Sequence, residues 1–346
     1  MDYLQRRIDA ETEKLLHACK TKDEFDCLAQ AIIEGQAALV ESFHKEHLLS
    51  LNDFSREQGL RVISDRQNTF LKDNLDKWQE GFDALDIMVN FCVEVGGGTW
   101  ERLRNEAAES KDLLFNVLAR LQAKACLVSQ EILCLLKNGF ADGAHARWRA
   151  LHEISITALF LHKREGDIVE RYLAHEIVDS YKGAIGLKEY EERLQVSALP
   201  DESMRDLKEQ YDAVIKRYGS EFSNPYGWAE NALGIKRANF SHIEKDVGMD
   251  HWRPYYKWAS QNVHSGSKTI SKSLGNSSPQ EFVLVGPSDL GMVDPADLLA
   301  ISLSQVTAAF LTLAPNIDSA VAIKVIESLR NEIGPIFLKC RKKYEG

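Results

Sequence analysis

All eight prolines of this 346-residue chain lie between Pro200 and Pro335, so its first 199 residues contain none. Average usage of about 5% would place roughly ten there. Proline inside a helix removes a backbone donor and clashes with the preceding turn, so its absence leaves the first half free to form long helices. The apolar residues use that freedom. Phe25, Leu28, Ala29, Ile32, Ile33, Ala37, Val40, Phe43 and His44 recur at helical spacing over 23 to 48. Leu71, Leu75, Trp78, Phe82, Leu85, Val89 and Cys92 form a second stripe in a run over about 53 to 95. The two runs read as a long antiparallel hairpin. Gly96, Gly97 and Gly98 follow, each about 1 kcal/mol less favourable in a helix than alanine, and they mark the expected boundary. The fold class is therefore all-α, with an acidic N-terminal helical hairpin extension over 1–98 and a helical bundle core over 99–346.

Charge supports that division. Residues 1–98 carry eleven Lys and Arg against nineteen Asp and Glu, so most of the net charge of -10 sits there. Such a surface repels phosphate, and nucleic-acid binding is not expected in that half. The six cysteines form no C-x-x-C pair and read as reduced, buried thiols. The start, MDYLQRRIDAETEK, lacks the apolar run of a secretory signal, and no stretch approaches the ~20 apolar residues of a membrane span. A cytoplasmic protein with no membrane partner is expected. The ten histidines include no H-E-x-x-H, so neither a metal nor another cofactor is expected.

Further helices are expected over about 99–137, ending at Asn138-Gly139, and over 140–164, 167–185 and 201–218. Residues 219 to 235 read as a loop. Ser241 and Glu244 have the spacing of a capping box. An amphipathic segment covers 252–274, EFVLVG at 281–286 is the only strand-like stretch, and two apolar helices close the chain over about 294–313 and 317–340.

Two segments carry polar constellations. In 143–161, His145, Arg149 and Glu153 climb one helix face with His152 beside them, and the stripe turns apolar at Ile156 and Phe160. A polar patch on such a helix is partly buried and needs partners. Arg149 and Glu153 at i,i+4 make at least an ion pair; a functional arginine there would grip a phosphate while Glu153 orients a base. In 251–272, Arg253, Lys257, Ser260, Gln261, His264 and Lys268 project to one side, opposite Trp252, Tyr256, Ala259 and Val263. Four basic residues and no acid occur between 251 and 280, an island able to attract an anion. Gly266-Ser267-Lys268-Thr269 lacks the glycine spacing of a P-loop.

Asn138-Gly139, Arg149-Ala-Leu-His-Glu153 and the later Tyr255-Tyr256-x-x-x-Ser260-x-x-Val263-His264 resemble the bacterial domain-of-unknown-function family 5677 over about residues 110–275. The resemblance implies a helical domain in which Arg149, Glu153, Ser260 and His264 meet, and it implies no activity. Arg147-Trp-Arg-Ala-Leu-His152 also resembles, more distantly, the Arg-x4–6-His signature of HEPN-type helical ribonucleases, which cleave RNA without metal as dimers. On a straight helix Arg147 and His152 stand about 140° apart, so they converge only with a bend or a second subunit.

The leading expectation is a phosphate- or RNA-directed helical protein, a metal-independent HEPN-like endoribonuclease of a toxin or phage-defence kind, acting as a homo-oligomer such as a dimer. Its catalytic residues would be Arg149, Glu153, His264 and His152, with His145, Arg147, Arg253, Lys257, Ser260 and Lys268 binding substrate. The alternative is a non-catalytic interaction or sensor module in which Arg149, Glu153 and His264 form a buried network that fixes helix register.

Overall fold

The computed structural model describes residues 6, 9, 10, 12–14, 17–54, 58–164, 166–264, 272–276 and 284–344, and only the backbone of 36–39, 42 and 54. The chain forms two compact units, 1–70 and 71–346. In the first unit, α1 spans Lys22–Phe54. Thr21 and Glu24 start it with reciprocal side-chain to backbone bonds, both 3.2 Å, the capping-box arrangement that satisfies otherwise orphaned donors. Along α1, Leu28 and Ile32 are half-buried, whereas Phe25, Ile33 and Val40 are exposed.

Helix α2, Leu60–Glu109, starts in the first unit and continues into the second. It runs unbroken through Gly96–Gly98, where the sequence leads one to expect an interruption. Its buried side holds it across that weak stretch: Val89, Cys92, Gly96 and Thr99 recur at three-to-four spacing and are all inside. The break comes later, at Ser110–Asp112, where Lys111 takes a left-handed φ of 54° and Asp112 caps the next helix by accepting from the Phe115 N–H at 2.9 Å.

The second unit is an all-α bundle, and no strand occurs among the described residues. Helices α3 (Leu113–Lys137), α4 (Ala141–His162), α5 (Ile168–Leu194) and α6 (Asp201–Tyr218) are followed by the short α7 (Gly227–Leu233) and α8 (Phe240–Asp246). Then come α9 (Arg253–Val263), α10 (Val293–Leu311) and α11 (Ile317–Lys343), which carries Pro335 inside it. Helix α4 is the axis of the bundle. It packs on α3, α9 and α10, and side chains right round it are buried, among them Trp148, Leu151, Ile156, Phe160 and Leu161. Helices enclosed on all sides place polar side chains in the interior, and those side chains need partners. The Trp148 indole donates to the Ser302 hydroxyl at 3.0 Å, and Ser155 donates to the Gln305 amide oxygen at 2.6 Å, fixing α4 against α10.

Helix α2 is tied into this bundle by polar bonds as well as by rings. The fully buried Asn74 donates to the Leu136 and Lys137 carbonyls at 3.1 and 2.8 Å, satisfying the free end of α3. Gln122 of α3 donates to the Cys92 carbonyl at 3.1 Å and accepts from the Thr307 hydroxyl of α10 at 3.1 Å.

Three further expected elements differ. The stretch over 219–235 is not all loop, because it holds a 3-10 turn at Ser220–Ser223 and helix α7, whose Trp228 and Ala229 are buried. The amphipathic run ends as a helix at Val263, and Leu274-Gly275 is a turn, because the Asp142 carboxylate takes the Leu274 and Gly275 N–H groups at 3.0 and 3.4 Å. EFVLVG falls partly outside the described residues, and 284–286 form no strand.

Gly81 of α2 faces the ring of Phe337, which stacks on Trp78 and meets Phe82 edge-on; a Cβ on Gly81 would lie 2.7 Å from that ring. Gly81→Ala is expected to lower stability by about 1–3 kcal/mol, overriding the ~1 kcal/mol that alanine gains in a helix. Urea unfolding checks this, and a variant as stable as the wild type would contradict the packing.

Candidate functional site

Helices α4 and α9 run antiparallel. Glu153 meets Tyr256, His145 meets Trp258, and Asp142 meets Asn262, so the pairs descend α4 as they ascend α9. Helix α8 crosses beside them. At seven residues it is too short to be stable alone and is held by its surroundings. Asn239 caps its start, accepting from the Ser241 N–H at 3.0 Å, and His242 returns to the Asn239 N–H. At its end, Arg164 grips Asp246 with two parallel bonds of 2.6 and 2.7 Å, and this pairing holds the Asp246 carboxyl below its usual range. The cap is therefore Asn239 with His242, not Ser241 with Glu244 as the spacing suggested. Glu244 is left to do something else.

Its side chain points into the interior and is 0% exposed. One oxygen meets His152 Nε2 at 3.0 Å, and the other accepts from Arg253 Nη1. His152 is itself 1% exposed and is enclosed by the rings of Trp148, Phe240 and Tyr256. A second polar set lies against the first. Arg149 Nε donates to Glu153 at 3.1 Å, and the Tyr256 hydroxyl donates to the same carboxyl oxygen. Burial, followed by the bond to Glu153, pushes the Tyr256 phenol well above its usual value, so it stays a donor. The guanidinium carbons of Arg149 and Arg253 lie 4.9 and 5.1 Å from the centre of the Tyr256 ring, within cation–π reach. Tyr256 thus joins two arginine–carboxylate pairs, and each arginine side chain keeps about 29% of its surface in solvent. Burial raises the phenol of neighbouring Tyr226 as well.

The other expected site residues are elsewhere. Arg147 turns to Glu131 of α3, away from His152. Ser260 donates back to the Tyr256 carbonyl at 2.8 Å. Lys257 and His264 are exposed, and His264 lies eight residues beyond Tyr256, about 12 Å along α9. Among the described residues its hydrogen bond is that of its backbone N–H to the Ser260 carbonyl. Lys268 lies outside the described residues. Arg149, Glu153, His152 and Arg253 therefore come together, while Arg147, Lys257, Ser260 and His264 do not join them. Among the described residues no group of three His, Cys, Asp or Glu side chains could hold a metal. No described helix is long and apolar enough to cross a membrane.

Residues 115–282 match a family of unknown function, DUF5677. The matched stretch contains α4, α8 and α9 entire, so every member of the network falls inside it. The DUF5677 resemblance carried by Arg149-Ala-Leu-His-Glu153 is thus found over a span close to the one expected. No curated protein and no solved structure matches the chain.

His145 sits one turn before Arg149, fully buried, stacked on Trp148 with Trp258 edge-on, and neither ring nitrogen has a hydrogen-bond partner. Burial pushes its pKa down from 6.5 to about 4. Between these values the unfolded chain binds more protons than the folded one. His145's contribution to stability is therefore full above pH 6.5 and is lost as pH falls toward 4, by roughly 3 kcal/mol at the limit. His145→Phe keeps a ring in place and should flatten that part of the pH profile in urea unfolding between pH 7.5 and 4.5. Equal slopes in the two proteins would contradict the assignment.

Proposed function

We propose that this chain is a non-catalytic interaction or sensor module whose Arg–Glu–His network is structural, with a phosphate-directed face at the exposed edges of Arg149 and Arg253. The observation that carries the reading is the enclosure of His152 on Glu244. General acid–base work requires a group within reach of a substrate proton. His152 is sealed among rings and already bonded, and His264 is at the far end of α9. The structural role has a clear physical basis, because three helices meet through one carboxyl group and one phenol.

The phosphate-directed part rests on the unspent donors. Arg149 uses Nε toward Glu153, and Arg253 uses Nη1 toward Glu244, which leaves other N–H groups of both forks available at a partly exposed surface. Both carboxyl partners hold the forks in place, so an anion meets donors that are already ordered. This face also accommodates the RNA-directed reading, as backbone phosphate contact without cleavage.

Inorganic pyrophosphate should raise the melting temperature of the wild type saturably and leave that of Arg149→Met unchanged. RNA incubated with the wild type in EDTA should stay intact. Absence of any pyrophosphate shift would remove the phosphate-directed face. Cleavage that disappears in His152→Asn would overturn the non-catalytic reading and restore the endoribonuclease.

A further inference from the structure

The three successive glycines of α2 pose a question that helix stability alone leaves open. Each is about 1 kcal/mol less favourable than alanine, yet the helix passes through them. Gly96 has a packing reason: a Cβ there would stand 3.1 Å from the buried Gln122 amide nitrogen, the atom that bonds the Cys92 carbonyl. Gly97 has no such reason, since a Cβ there would meet nothing within 4 Å. The space in front of it is a cavity of about 540 Å³ between α2 and α3, closed at the back by Phe310 of α10. That volume falls in the range of small-molecule sites.

The lining specifies a chemistry. Val93, Ala123, Leu127 and Phe310 make its walls apolar, and Trp100 brings a flat indole that stacks on Phe115 at 5.5 Å and 10° while remaining 38% exposed. Gln122 is already satisfied by Cys92 and Thr307. Burial pushes the Cys126 thiol at the wall up to about 12, so it is a neutral apolar surface rather than a nucleophile. One charged residue lines the cavity, Arg120, and it makes no ion pair or hydrogen bond among the described residues. A basic group without a partner at the rim of an apolar cavity favours an anionic ligand, because its local positive charge meets no carboxylate in the lining.

The geometry points to a binding site for a small amphipathic organic anion, with its flat apolar body between Gly97 and Trp100 and its acidic group on Arg120. Gly97 is an exposed part of the wall, and a side chain there would project into the cavity mouth. This site is separate from the Arg149 network and does not depend on the function proposed for it.

Two naphthalene dyes test this directly: anilinonaphthalene sulfonate, which is anionic, and N-phenyl-1-naphthylamine, its neutral analogue. The wild type should bind one molecule of the sulfonate saturably, with quenching of tryptophan emission. Gly97→Leu should weaken both dyes at least tenfold. Arg120→Ala should weaken the sulfonate about fivefold and leave the neutral dye unchanged. Melting curves and far-ultraviolet circular dichroism show whether each variant is folded. Should Gly97→Leu fail to fold, Ala123→Leu fills the same cavity from α3. Binding of either dye that survives filling the cavity, or the absence of saturable binding, would overturn the site. Equal loss of both dyes in Arg120→Ala would overturn its anion specificity.

Discussion

A carboxyl group with no exposed surface, held by a histidine on one side and an arginine on the other, is the constraint around which the second unit is arranged. Glu244 makes sense in the interior only while His152 and Arg253 are both present, because a buried charge without partners costs several kcal/mol. Each partner belongs to a different helix. The contact therefore sets the position of α4 against α8 and of α9 against both, and a slip of either helix by one residue would separate the groups. Apolar packing alone tolerates such slips far better, since it is non-directional. The Arg164–Asp246 fork at the end of α8 acts in the same sense, anchoring a helix too short to hold itself.

Tyr256 extends this constraint to the surface. Its hydroxyl belongs to Glu153 and its ring lies within reach of both guanidiniums, so a move of α9 disturbs both arginine–carboxylate pairs together. The two arginines are equally exposed, but the Glu244 carboxylate is fully buried whereas that of Glu153 is partly in solvent. The Arg149–Glu153 pair contributes little to stability as an ion pair, about 0.3–0.5 kcal/mol for an exposed i,i+4 contact, and its value lies in holding Arg149 ready at the rim. An effector that meets these arginines would act on the same ring that sets helix register, which is a physical route from binding to a change in packing.

Much of this was legible in the sequence, for identifiable reasons. Periodicity marks α4, and the four-residue step from Arg149 to Glu153 fixes their contact on any helix. Proline placement identifies the long helices of the first half. What periodicity does not reveal is long-range pairing. Glu244 looks like a cap residue because Ser241 stands three positions before it, and only the position of Asn239 frees it for the interior. The two-faced pattern of 251–272 sets Arg253 and Tyr256 on opposite sides, yet they are three residues apart, and Arg253 reaches Glu244 of α8 across the Tyr256 ring. The family resemblance implies that His264 meets Arg149, but the antiparallel run of α9 carries it to the other end. Gly96–Gly98 read as a break because local propensity is unfavourable there, and tertiary packing of Val89, Cys92 and Thr99 overrides it.

The most direct test is the unfolding free energy of Glu244→Gln in urea at pH 7, since glutamine keeps the shape and removes the charge. A loss of about 3 kcal/mol is expected, because Arg253 and His152 would lose the carboxylate that joins them. A loss below about 0.5 kcal/mol, the level of an ordinary surface substitution, would contradict the central place given to this contact.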